Sequence, residues 1–112
     1  QQAGVTYCIS DPNHSTRFRN LAFNAGIAAG HGLTKEQALQ AITLNTAKIL
    51  GIGDRTGSLE TGKDANIIVS DGDILDIRTN NVVYAFIQGR QINLDNKQKQ
   101  LYEKYKYKYN LK

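Results

Sequence analysis

Apolar and polar positions follow three textures along the chain, and each predicts a different kind of element. Gly4, Val5, Thr6, Tyr7, Cys8 and Ile9 form a short apolar, β-branched run that ends at Ser10-Asp11-Pro12. Such a run reads as a strand. Proline disfavours helix at the residue before it, so Asp11 falls where strand gives way to loop. Phe18, Leu21, Ala22, Ala25 and Ala29 then recur at helical spacing. They predict an amphipathic helix opening near Ser15 or Thr16 and closed by Gly30 and Gly32. A second helix begins at Thr34, with Gln37 three residues on, where a reciprocal cap needs it. Ala38, Ile42 and Ile49 line one stripe, with Leu39, Thr46 and Leu50 beside it. Asn45-Thr46 is expected to break this helix, since both residues prefer caps and bends to helix interiors. Gly51 and Gly53 supply the stop.

From Asp54 the texture becomes glycine-punctuated β structure. Residues 65–69 and Val82–Ile87 are strand candidates, and in the second both alternating faces are largely apolar, which predicts burial on two sides. Gly89-Arg90 reads as a hairpin turn into Gln91, Ile92, Asn93 and Leu94. From Asn96 the chain is a helix rich in Lys, Tyr and Gln. No internal repeat is present.

A chain of 112 residues has room for one small domain burying about 65% of its unfolded surface. No apolar run approaches the ~20 residues of a membrane span, so a soluble protein without a membrane partner is expected. Gln1-Gln2-Ala3 is no secretory signal. In a C-terminal fragment any signal would lie upstream, which leaves the compartment open. The single cysteine, Cys8, excludes an internal disulfide, and its apolar neighbours predict a buried, inert thiol.

The formal net charge of +4 is unevenly placed. Residues 97–112 hold six lysines against Glu103, a net of +5, whereas the other 96 residues carry 8 basic and 9 acidic groups, a net of −1. The basicity therefore belongs to the tail. Its interleaved cations and aromatics could bind single-stranded nucleic acid. Leu101, Tyr102, Tyr105 and Tyr109, however, share one helical stripe, as a docked helix would have. A docked helix or solvated tail is the expectation, and no nucleic-acid partner.

Four segments carry a resemblance to a known family: Gly32-Leu33-Thr34; Thr43-Leu44-Asn45-Thr46-Ala47 with Leu50-Gly51; Gly57-Ser58-Leu59 with Gly62-Lys63; and Val83-Tyr84-Ala85-Phe86-Ile87-Gln88-Gly89-Arg90. In this order and spacing the chain resembles the C-terminal part of the metal-dependent amidohydrolase superfamily, most closely its imidazolonepropionase-like members, from Gly4 to about Tyr105. The implied fold is α/β, the last βα portion of a (β/α)8 barrel plus the C-terminal strands of an adjoining small β-sandwich. A whole barrel takes roughly 250 residues, so the chain is expected to be incomplete on its own. Residues 1–53 would be the terminal strand and helices of the barrel. Residues 54–94 would be half of the composite sandwich, and 95–112 a basic helix or tail. The partners implied are the remainder of that barrel and sandwich, and a small-molecule substrate.

The reaction implied is hydrolysis of a non-peptide or small peptide-like C–N bond by metal-activated water. By the same resemblance Asp11, in its Ser10-Asp11 pair, is the catalytic base and a metal ligand. The chemistry needs a carboxylate there to take a proton from water and return it to the leaving amine. A turn residue bonding its own backbone is the plainer reading of Asp-Pro. The cofactor implied is a divalent metal, Zn²⁺ first. A catalytic zinc takes about three protein ligands, and the family's His-x-His pair is not in this sequence, so the 112 residues alone are expected to bind no metal and to be inactive. His14 lies close enough to Asp11 to contact substrate, or it is a solvent-exposed loop residue. His31, between two glycines, reads as a loop residue away from the chemistry. Lys63-Asp64-Ala65-Asn66 departs from the family pattern, which has aspartate where Asn66 stands. Gly57 and Gly62 lack the following Lys-Ser/Thr of a phosphate loop and read as turn glycines. The alternative function is a stand-alone, non-enzymatic α/β interaction module that recruits a partner along its sheet edge.

Overall fold

The computed structural model describes residues 3–11 and 18–111. A 3₁₀ turn over Phe18–Asn20 runs directly into α1, Leu21–Gly30. Then follow α2, Lys35–Ile42, and α3, Leu44–Ile49. The strands are β1, Ile67–Ser70, β2, Val82–Ile87, and the two-residue β3, Arg90–Gln91. Helix α4, Lys97–Lys108, ends the order. The architecture is mixed α/β: a helical layer, and an antiparallel sheet in the order β1-β2-β3.

Helix α2 starts as its sequence predicts. Thr34 Oγ1 accepts from the Gln37 amide at 3.1 Å, and Gln37 Oε1 accepts from the Thr34 amide at 3.0 Å. The break that follows comes earlier than expected, at Thr43 rather than Asn45-Thr46. Thr43 donates its hydroxyl back to the Leu39 carbonyl at 2.7 Å, which offers the backbone an alternative to continuing the helix. The break leaves the Ala41 carbonyl without the Asn45 amide that an unbroken helix would give it. It accepts instead the Ile9 amide at 3.0 Å and the Thr46 hydroxyl at 3.1 Å.

Residues 4–11 therefore lean on α2 through one backbone bond and do not form a strand. An extended segment becomes a strand only by hydrogen-bonding to a neighbouring strand, and the described residues offer it none. Cys8 is accordingly exposed, not buried.

The turn after β2 is Gln88-Gly89, one residue earlier than the sequence suggested, because Ile87 pairs with Arg90. Both turn residues have positive φ, 49° and 76°, the requirement of the tight turn that matches strand twist. Asn66 supports the non-glycine member: its Oδ1 accepts from the Gln88 amide at 2.9 Å, and its Nδ2 donates to Thr56 Oγ1 at 3.1 Å. An aspartate there would keep the first bond and lack the NH₂ donor of the second.

Among the described residues no helix packs directly on a strand; loops join the layers. The loop between β1 and β2 brings Leu75 into a core with Ala25 of α1 and Ala38 of α2, where Ile9, Ala29, Leu33, Ile42 and Ile74 pack around them. The approach is close. A Cβ added at Gly26 would lie 2.1 Å from the Leu75 carbonyl oxygen. Lys63, its side chain nearly buried, ties the second loop down through the Gly53 carbonyl at 2.7 Å and the Ser58 hydroxyl at 2.6 Å.

Among the described residues the buried apolar ones are Ala25, Ala38, Ala41, Ala47, Leu75 and Ala85, all but one of them alanine. Two-sided burial of β2 is not present in this chain, since Tyr84 and Ile87 are 52% and 56% exposed. Accessible surface totals 8847 Å², against about 6,100 Å² for a compact protein of this mass. The radius of gyration, 16.6 Å, also exceeds the ~13 Å of a compact chain this long.

Candidate active site at Asp11

Asp11 closes the segment 4–11, and two anchors set its place. Ile9, two residues before it, is packed against the core and bonded to Ala41. From the other side α1 delivers Asn24, whose Nδ2 donates to Asp11 Oδ2 at 3.4 Å. Both side chains are half-buried.

The remaining expected site residues do not join it. His14 lies outside the described residues. His31 caps the far end of α1 and contacts the Ile27 carbonyl through Nδ1 at 2.8 Å. A carbonyl only accepts, so that contact requires the tautomer with a proton on Nδ1. Seven positions along α1, roughly 10 Å of helix, separate this histidine from Asn24, the residue that meets Asp11. Among the described residues no three His, Cys, Asp or Glu side chains come together. Asp11 is a suitable oxygen donor for a divalent ion, but a single donor falls short of the usual set. The described residues do not by themselves compose a metal site.

Asn24 has no counterpart among the residues the sequence reading singled out. The signal was present: in Leu-Ala-Phe-Asn-Ala-Gly-Ile-Ala-Ala-Gly it is the one polar side chain.

A groove of about 440 Å³ lies between α1 and the β1–β2 loop, away from Asp11. Phe23, Ile27, Leu75 and Ile77 form its apolar walls, and two ion pairs, Lys35–Asp73 and Arg78–Asp76, stand at its rim. The Lys35 ammonium and the Leu75 amide hold the Asp73 carboxyl below its ordinary range. Arg78, through its guanidinium and its backbone amide, brings Asp76 down to about 2. These charges satisfy one another. The tail helix α4 contacts no other helix or strand among the described residues. Its tyrosines pair within the helix instead, Tyr105 stacking on Tyr109 at 6.2 Å.

Comparison with known proteins identifies the family. The model of the amidohydrolase family matches residues 8–92. Imidazolonepropionase of Syntrophobacter fumaroxidans is 43% identical over 65 residues, which are 56% of this chain and 15% of that protein. N-acetylglucosamine-6-phosphate deacetylase of Danio rerio is 44% identical over 61 residues, 54% of this chain and 14% of that one. A crystal structure of an amidohydrolase from Thermotoga maritima superposes with a TM-score of 0.75 at 32% identity, covering 82% of this chain and 24% of that one. The chain thus spans about a seventh of the curated relatives it matches.

Proposed function

Because the chain belongs to the amidohydrolase family, we propose that it is the C-terminal part of a metal-dependent enzyme that hydrolyses a non-peptide or small peptide-like C–N bond. The observation that carries this reading is the Asp11 carboxylate, half-buried and held by Asn24, inside the stretch that the family model covers. Asp11 takes a proton from the attacking water and returns it to the leaving amine. A divalent metal, Zn²⁺ by resemblance, would make that water acidic enough to react near neutral pH. Asp11 would be one of its ligands, and the others would come from outside these 112 residues. His14, three residues on, is the candidate contact for substrate.

Residues 1–53 then belong to the end of a barrel, 54–94 to half of a β-sandwich, and 95–112 to a basic tail. The excess accessible surface supports a parent that covers it, since roughly 2,700 Å² is the scale of an obligate interface. A stand-alone interaction module would use the same exposed sheet, but it gives the Asp11–Asn24 pair nothing to do.

The test is the full-length gene product, assayed on imidazolone-ring amides and N-acetylated amino sugars with and without chelator. Chelator-sensitive hydrolysis by the full protein, and none by the isolated 112 residues, is the expected result. Steady turnover by the isolated chain, or turnover indifferent to metal, would refute the reading.

A further inference from the structure

We propose that Asn24 is the positioning residue for the Asp11 carboxylate, an inference that rests on the reading of Asp11 as the base. Nothing in α1 itself favours asparagine at this position. The other nine residues of the helix are apolar or glycine, and asparagine is a poorer helix former than alanine because its amide competes for the backbone. Its side chain reaches across 13 residues of sequence to Asp11 Oδ2 at 3.4 Å. An ionised carboxylate only accepts, so it selects the NH₂ side of the amide. The bond is long, as catalytic hydrogen bonds often are before substrate closes around them.

The helix that presents Asn24 is also well fixed. Gly26, two residues on, abuts the Leu75 carbonyl, and Ala25 beside it is fully buried in the core. Asn24 thus joins a rigid element to the end of segment 4–11, which has a single backbone bond to α2. The Asn24 bond to Oδ2 restricts rotation about the Cβ–Cγ bond of Asp11 and so helps to orient the carboxylate. That is what proton transfer to a fixed water requires.

The experiment compares Asn24→Ala, Asn24→Asp, Asp11→Asn and the double variant Asp11→Asn/Asn24→Ala in the full-length parent. Each is measured for kcat, KM, melting temperature and bound metal. Asn24→Ala should lower kcat about tenfold, the worth of a modest hydrogen bond to a charged group, with KM changed less than about twofold. Melting temperature and metal content should stay at wild-type values. Asn24→Asp is isosteric and sets one carboxylate against another, so it should lose more activity than alanine. On the residual rate of Asp11→Asn, adding Asn24→Ala should change kcat less than about twofold, as expected for residues acting as a unit.

If Asn24→Ala keeps kcat within twofold while Asp11→Asn abolishes it, Asn24 does not position the base and the reading of Asp11 stands. Equal losses from Asn24→Ala in both backgrounds, tracking melting temperature, would show a structural role and overturn the proposal. Should the alanine variant not fold, the isosteric Asn24→Asp carries the same comparison. Near-normal kcat in Asp11→Asn would instead sink the underlying assignment.

Discussion

Asp11→Asn keeps the shape of the side chain and removes its charge, so in the full-length parent it separates chemistry from structure. Loss of a general base alone lowers turnover about 10²–10⁴-fold. Asparagine also suits a strand-end turn, so a turn role predicts near-normal rates. Rates measured beside melting curves and metal content decide between them. Gly26→Ala is a second single-atom test. Alanine in a helix ordinarily gains about 0.5–1 kcal/mol over glycine, but here the new Cβ meets the Leu75 oxygen at 2.1 Å. Overpacking costs of about 1–3 kcal/mol should win, giving a lower denaturant midpoint. Gly30→Ala, with open space around it, should not lower it. The carboxyls at the groove rim predict a pH response. Asp76 is depressed to about 2 by Arg78 and Asp73 is lowered by Lys35. A depressed folded-state pKa contributes stability above the ordinary carboxylate range, near 3.8 for Asp, and loses it as pH falls toward 2. In the full-length parent, melting temperature recorded from pH 5 to pH 2 should fall, and Asp76→Asn should flatten that fall slightly, these being exposed pairs.

At the scale of elements, Thr34→Ala removes one half of the reciprocal cap on α2 and should cost about 1 kcal/mol, read as a shift in denaturant midpoint. That cap was legible in the sequence because its two partners lie three residues apart and need nothing else. Strand β2 and helix α4 were legible for the same local reasons, an apolar β-branched run and an Asn96 cap that accepts the Lys99 amide at 3.0 Å. What the sequence misplaced depends on distant partners. Residues 4–9 have the composition of a strand and no neighbour to pair with. The α2–α3 break sits at Thr43 because the Ala41 carbonyl has two other donors, and one of them, Ile9, is far away in sequence. Asn24 went unnoticed because a lone polar residue in a helix acquires meaning only when its partner is known.

For the molecule as a whole, the core is too slight for the surface it must organise. Among the described residues five alanines and one leucine are buried, while β1 and β2 expose Ile68, Val69, Tyr84 and Ile87. Small residues remove little apolar area from water, at about 25 cal/mol per Å². The isolated chain should therefore bind an environment-sensitive apolar dye and melt without a sharp calorimetric transition. A cooperative melt and no dye binding would show that these residues stand alone. The Lys- and Tyr-rich α4 should give only weak attraction to oligonucleotides, lost at physiological salt, because lysines without a groove confer charge and nothing more.

Cys8, exposed and the sole thiol of the chain, is a ready-made chemical reporter. In isolation it should react with a maleimide about as fast as a free thiol, because the Cys8 side chain is exposed. Added in trans, the rest of the proposed parent would close a wall of neighbouring strands over that segment, and the alkylation rate should drop by about an order of magnitude or more as burial blocks access to the thiolate. Mass spectrometry of timed quenches would follow docking without any activity assay. An unchanged rate after mixing would mean that segment 4–11 does not enter a sheet.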